Sequence, residues 1–258
     1  IIPAHYFRAE SALIQKNYSA ALRDYDYIVR RGRSDFYEDA LLKAALISYN
    51  HEEDFDKALD YYSQLDKVAQ SQEKKFEAQL GALRSAYKTR EIDLLEEMGN
   101  KVISNNLANN DQKGLAHYYL AKINYDRQRM EVAKIHFEKT QLLLSNEFAA
   151  QARYYLAEIA YQNGELEEAK ERCNVANRQN TNYSYWLAKG IILLSDILKD
   201  QGDYFNAKAA LESLIENYKE DEELLDIANA KLEYLKTLDE QNIISRKNQS
   251  DELELQDD

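Results

Sequence analysis

The chain has 258 residues, with 7 glycines, one proline, 20 tyrosines and a formal net charge of -13. So few breakers among so many Ala, Leu, Glu and Lys residues argue against a sheet protein and predict an all-α chain. The acidic balance argues against a nucleic-acid surface, which draws its affinity from clustered Lys and Arg. The longest apolar run, GIILL at 190–194, is cut by Ser195 and Asp196, far short of the roughly 20 residues of a membrane span.

Along the chain, a small residue recurs after a short polar turn and opens a second amphipathic stretch. It is Ala21 in NYSAAL, Ala58 in DFDKAL, Ala133 in RMEVAK, Ala169 in ELEEAK and Ala207 in DYFNAK, with Leu95 of EIDLLE as a weaker copy. The spacings are 37, 37, 38, 36 and 38, a period that marks a solenoid. Apolar residues at helical spacing precede each turn, as do Leu156, Ile159 and Ala160, and follow it, as do Ala207, Leu211, Leu214 and Ile215. Each unit is therefore a helix–turn–helix hairpin, and the small residue lets its two helices approach. Six hairpins are predicted near 2–35, 38–72, 75–110, 113–148, 149–184 and 187–220. Leu224, Leu225, Ala228, Leu232, Leu235 and Leu238 then predict a capping helix at 221–238, because the last hairpin cannot bury its apolar face alone. From 239 to 258 there are seven acids against Arg246 and Lys247, and a poorly ordered acidic tail is expected there.

These residues resemble the tetratricopeptide repeat family. The family's leucine–small pair, Gly-Asp-aromatic turn and following alanine are matched by Leu156-Ala157, Gly164-Glu165-Leu166 and Ala169, and by Gly202-Asp203-Tyr204 and Ala207. Its Ala-x-x-x-aromatic element is met at Ala21/Tyr25, Ala58/Tyr62 and Ala133/Phe137, and fails at Leu95/Gly99, Ala169/Cys173 and Ala207/Leu211. The stretch from Tyr185 to Tyr218 resembles the C-terminal part of long tetratricopeptide proteins of Bacteroidetes-type bacteria. More loosely, it is similar to periplasmic outer-membrane assembly lipoproteins. The resemblance implies a noncatalytic α-solenoid of bacterial origin that binds proteins or peptides, and it suggests the cell envelope.

The chemistry of catalysis is missing from the sequence. The four histidines are scattered along the chain without metal-ligand spacing, and Cys173 stands alone, so neither a metal nor another cofactor is expected. There is no glycine-rich phosphate loop and no G-x-S-x-G elbow. Cys173 occupies a core position of the repeat, as a small hydrophobe would.

The tyrosines carry the functional expectation. YYLAKINYDRQRMEVA at 118–133 returns as YYLAEIAYQNGELEEA at 154–169, with eight of sixteen positions identical. In the family register, the first helix of each hairpin lines a concave face. Tyr118 with Tyr125, and Tyr154 with Tyr161, then share that face at a spacing of seven, flanked by Tyr87, with Arg84, Lys122 and Glu158 interspersed. Two readings fit such tyrosines: interhelical packing, or a recognition groove built from rings that bury much area at low entropic cost. A third feature is the helix YWLAKGIILLSDIL at 185–198, which is apolar almost all round and so buried almost all round. It leaves Ile192 and Leu193 beside Tyr154 and Tyr161, either under the capping helix or as an open apolar floor. Two functions follow: a scaffold holding a partner segment in a tyrosine-lined groove, or an architectural, self-associating terminal part of a long array, with a homo-oligomer as one outcome.

Overall fold

The computed structural model describes the backbone of residues 1–254 and the side chains of residues 1–238. The expected acidic tail at 239–258 lies outside the described side chains and, from 255, outside the described residues. Among the described residues there are thirteen helices and no strand. In chain order they are α1 (Ile2–Ile14), α2 (Tyr18–Arg31), α3 (Tyr37–Asn50), α4 (Phe55–Val68), α5 (Gln72–Thr89), α6 (Ile92–Ser104) and α7 (Asn110–Asp126). There follow α8 (Met130–Leu143), α9 (Glu147–Gln162), α10 (Leu166–Gln179), α11 (Ser184–Asp200), α12 (Tyr204–Asn217) and α13 (Glu222–Glu254). The pairs α1/α2 to α11/α12 are six hairpins, and the capping helix expected at 221–238 falls within α13. The chain divides into two compact units, Ile1–Lys139 and Thr140–Asp258.

Every hairpin turns on the same backbone device. One residue takes a left-handed conformation: Lys16, Glu53, Arg90, Gln128, Gly164 and Gly202, with φ of 58°, 52°, 60°, 60°, 78° and 80°. Each stands five residues before Ala21, Ala58, Leu95, Ala133, Ala169 and Ala207 in turn. The next residue closes the first helix: the N–H groups of Asn17, Glu91, Arg129, Glu165 and Asp203 each donate to the carbonyl five residues back. Such bonds satisfy carbonyls that a helix end leaves orphaned. The same residue starts the second helix. Asn17, Asp54 and Asp203 accept from the backbone N–H three residues on, an N-cap contributing about 1 kcal/mol.

The small residues do what their spacing predicts. Ala21, Ala58, Leu95, Ala133, Ala169 and Ala207 are all 0% exposed. Where two helices come closest, even a methyl group is too large: a Cβ on Gly81 of α5 would sit 2.4 Å from the ring of Tyr62 on α4. In the first unit, each helix from α1 to α7 packs on the next, and α3–α5 and α5–α7 also touch. In the second unit, α9 to α13 pack in succession, with α9–α11 and α11–α13 contacts. The succession ends on α13. Its Leu224, Ala228, Leu232 and Leu235 join Ile192, Leu198, Leu211 and Leu214 in one buried cluster, the cover that the last hairpin of a solenoid requires.

Candidate functional site

In the second unit, α9, α11 and α13 bring together Tyr154, Glu158, Tyr161, Ile192 and Leu193, all singled out in the sequence, around a cavity of about 250 Å³. Gln162, Lys189, Asp196, Leu224 and Ile227 complete its lining. Tyr154 is buried, and its hydroxyl donates to Glu158 Oε1 at 2.8 Å. Tyr161 is half-buried and donates to Asp200 Oδ2 at 2.6 Å. Burial, followed by this carboxylate, raises the Tyr161 pKa, while the phenol holds Asp200 below the usual carboxylate range.

Ile192 and Leu193 are 8% and 6% exposed, so the floor is not open surface. The reason is packing. Ile192 belongs to the cluster closed by α13, and Leu193 to a second cluster with Tyr154, Ala157, Ala160 and Trp186. What the two residues offer is the base of a cavity, with Leu224 and the partly exposed Ile227 of α13 as part of its wall.

The polar rim joins Lys189 and Asp196 to the expected Glu158. Lys189 Nζ lies 4.6 Å from the Tyr154 ring centroid and 5.3 Å from that of Trp186, a cation–π arrangement. Asp196 receives Lys231 Nζ of α13 at 2.7 and 2.9 Å. A sequence signal existed: Lys189 and Asp196 interrupt an apolar helix at a spacing of seven, which puts them on one side of it.

The first unit treats its share of the expected residues differently. Tyr118 is buried, with ring centroids 6.5 Å from both Tyr87 and Phe137. Tyr87 stacks on Tyr119 at 4.0 Å, and Tyr125 meets Phe137 at 6.3 Å. Lys122 pairs with Asp126 and lies 5.5 Å from the Tyr125 ring. Arg84 is exposed. These rings build interhelical packing.

A wider cleft of about 880 Å³ in the second unit is mostly polar, lined by Arg153, Arg172, Arg178, Glu167 and Glu171 among others. Arg153 is desolvated, which lowers its pKa, and its Nε donates to Asn180 Oδ1 at 2.9 Å. The cleft is larger, but its lining is more polar than apolar, and interface hot spots cluster in well-packed, desolvated pockets. His117 and His136 share an Nδ1–Nδ1 hydrogen bond of 2.8 Å. Burial lowers both pKa values, that of His117 to about 4. Cys173 is fully buried, its thiol pushed up to about 12 by desolvation. Among the described residues, no group of three or more His, Cys, Asp or Glu could hold a metal. Nor is any helix long and apolar enough to cross a membrane.

Residues 140–180, 39–71 and 192–221 match family models described as tetratricopeptide repeat. No curated protein matches the chain. Among solved structures, it is similar to a tetratricopeptide repeat protein from Parabacteroides merdae ATCC 43184, at 13% identity and TM-score 0.50, covering 88% of this chain and 98% of that one. It is also similar to BtubC (BKLC) from P. vanneervenii, at 15% identity and TM-score 0.54, covering 85% and 92%. A third is yeast Tom70, at 14% identity and TM-score 0.55, covering 90% of this chain and 53% of that one. At these identities the likeness is one of fold. With matched segments in both units and the same turn and buried small residue recurring along the chain, the chain carries tetratricopeptide repeats.

Proposed function

We propose that the chain is a noncatalytic scaffold for protein–protein interaction, and that the cavity between α9, α11 and α13 seats an apolar side chain of a partner segment. The observation that carries this reading is the cavity's composition: an apolar base of Tyr154, Ile192 and Leu193, an apolar wall of Leu224 and Ile227, and a rim whose charges are already partnered. A rim satisfied before binding needs little reorganisation when a ligand enters, which favours affinity. The volume of about 250 Å³ lies below the roughly 300–1,000 Å³ typical of small-molecule sites. It suits one side chain rather than a cofactor. Tyrosine walls with an apolar centre and a polar rim are also the usual anatomy of a protein interface.

The test is a library of short peptides screened against the wild-type chain and against Ile227→Glu. Ile227 is partly exposed on α13, so the substitution puts a charge in the wall without emptying the core. The expected result is a set of peptides sharing one large apolar residue, whose binding weakens at least about tenfold in the variant, the equivalent of 1.4 kcal/mol. Equal binding by both chains would refute the reading.

A further inference from the structure

The polar cleft of the second unit holds a cation that the fold leaves without a counter-charge. Arg153 of α9 is half-buried in its lining. Its Nε donates to Asn180 Oδ1, and Asn180 is fully buried and held in turn by its own bond to the Ala150 carbonyl at 3.2 Å. The two Nη groups are left without an acceptor, and among the described residues Arg153 forms no ion pair. Burial disfavours its charge, and no described carboxylate offsets that cost.

The repeat shows that this position serves a contact across the hairpin. Counted from the small residue, Arg153 on α9 and Arg172 on α10 stand where the first hairpin has His5 and Asp24 and the fourth has His117 and His136. His5 meets Asp24 at 2.8 Å, and His117 meets His136 at 2.8 Å. The other three hairpins place Leu42 with Tyr61, Gln79 with Met98, and Ile191 with Ala210 there. Only the fifth hairpin puts two permanent cations at the position, and guanidinium groups donate without accepting. Arg172 turns to Glu168 on its own helix at 2.7 Å. Arg178, in the last turn of α10, lines the same cleft, is exposed, and forms no ion pair among the described residues.

We propose that Arg153 and Arg178 hold the carboxylate of an Asp or Glu side chain in a partner segment lying along α10. A guanidinium fork matches a carboxylate with two parallel N–H···O bonds. Charge balance selects that anion. The lining carries Arg153, Lys170, Arg172 and Arg178 against three glutamates of α10, an excess of one positive charge in a chain of net charge -13. One carboxylate neutralises it, whereas a phosphate monoester brings about two negative charges. Shape selects a segment over a small free acid. The lining follows α10 from Glu167 to Arg178, about 17 Å at 1.5 Å per residue, which about five extended residues span. The glutamates lie toward the start of α10 and Arg178 near its end, so the acid of the segment belongs at the Arg178 end. At 3.6 residues per turn, Arg153 and Leu156 lie on a different side of α9 from Tyr154, Glu158 and Tyr161. The site is therefore separate from the apolar cavity.

An array of five-residue peptides with blocked ends, each carrying one Glu among uncharged residues, tests this against the full chain. Blocking leaves the side chain as the only carboxylate. A subset of the peptides should bind the wild type, and binding should weaken at least about tenfold when their Glu is replaced by Gln. It should weaken as much on Arg153→Gln, which keeps an N–H donor for Asn180. Arg178→Gln changes an exposed residue and should weaken the same peptides with the fold intact by circular dichroism. Ile227→Glu, in the wall of the apolar cavity, should bind them as the wild type does. No bound Glu peptide, equal binding by both arginine variants, or equal weakening by Ile227→Glu would overturn the proposal. So would phosphoserine binding more tightly in place of Glu, or acetate competing at the peptides' own concentration. Tenfold tighter binding once Asp251, Glu252, Glu254, Asp257 and Asp258 are changed to their amides would overturn it by making the chain's own tail the occupant.

Discussion

Helices α7 and α9 carry nearly the same sequence and end in different surroundings. In α7, Tyr118 and Tyr125 both face the ring of Phe137, which follows Ala133 by four residues on α8. In α9, the position corresponding to Phe137 is Cys173, and Tyr154 and Tyr161 turn to Glu158 and Asp200 at the edge of a cavity. The second helices differ at that position, a ring in α8 and a thiol in α10. Where it is a ring, the tyrosines are knobs in a packed hairpin. Where it is a thiol, the tyrosines line a cavity together with residues of α11 and α13.

The largest expected effect comes from removing the ring. Phe137 is fully buried, and Phe137→Ala should cost about 3–5 kcal/mol, the range for truncating a core aromatic. Chemical denaturation measures it, and a loss below about 1 kcal/mol would mean that Phe137 does not anchor the two tyrosines. The converse change, Cys173→Phe, overpacks the matching site and should cost about 1–3 kcal/mol. It should also weaken peptide binding at the cavity, because the added ring pushes on Tyr154, its neighbour in the core cluster.

The turns of the same two hairpins give a smaller contrast. Gly164 and Gln128 occupy equivalent left-handed positions. Gly164→Ala should cost about 1–2 kcal/mol, the penalty of a Cβ in that conformation. Gln128→Gly removes that strain but loosens the unfolded chain, an opposing effect of about 0.4–1 kcal/mol, so a net gain under about 1 kcal/mol is expected. Equal responses of the two turns would break the equivalence.

Acid separates the hairpins most finely. Folded His117 titrates near pH 4, against about 6.5 when unfolded. The unfolded chain binds the extra proton across that window, so stability falls as pH drops from about 6.5 toward about 4. In α9 the matching residue is Arg153, which does not titrate there. Thermal melts of wild type and His117→Gln at neutral and mildly acidic pH should differ in slope. Below that window, the depressed carboxyls of Asp24, Asp54, Asp200 and Asp203 lose their contribution in both proteins.

The hairpins were legible because their signal is periodic and local. Ala21 through Ala207 mark helix contacts, and each was found fully buried. The turns were half legible. Gly164 and Gly202 announce a left-handed residue, whereas Lys16, Glu53, Arg90 and Gln128 adopt it under the closing hydrogen bonds around them, against their own preference. The cavity was legible in its α9 and α11 residues only. Leu224 and Ile227 come from a helix whose sequence signals a cap, and no spacing along the chain tells where a cap will cross α11. The same gap made Ile192 and Leu193 read as an open floor in one of the two alternatives.

The most direct measurement is a methyl-labelled NMR titration of the wild-type chain with a peptide selected from the library. The account expects the methyl groups of Ile192, Leu193, Leu224 and Ile227 to shift together and saturably, with those packed around Phe137 unmoved. Saturable binding that leaves all four unshifted would contradict it.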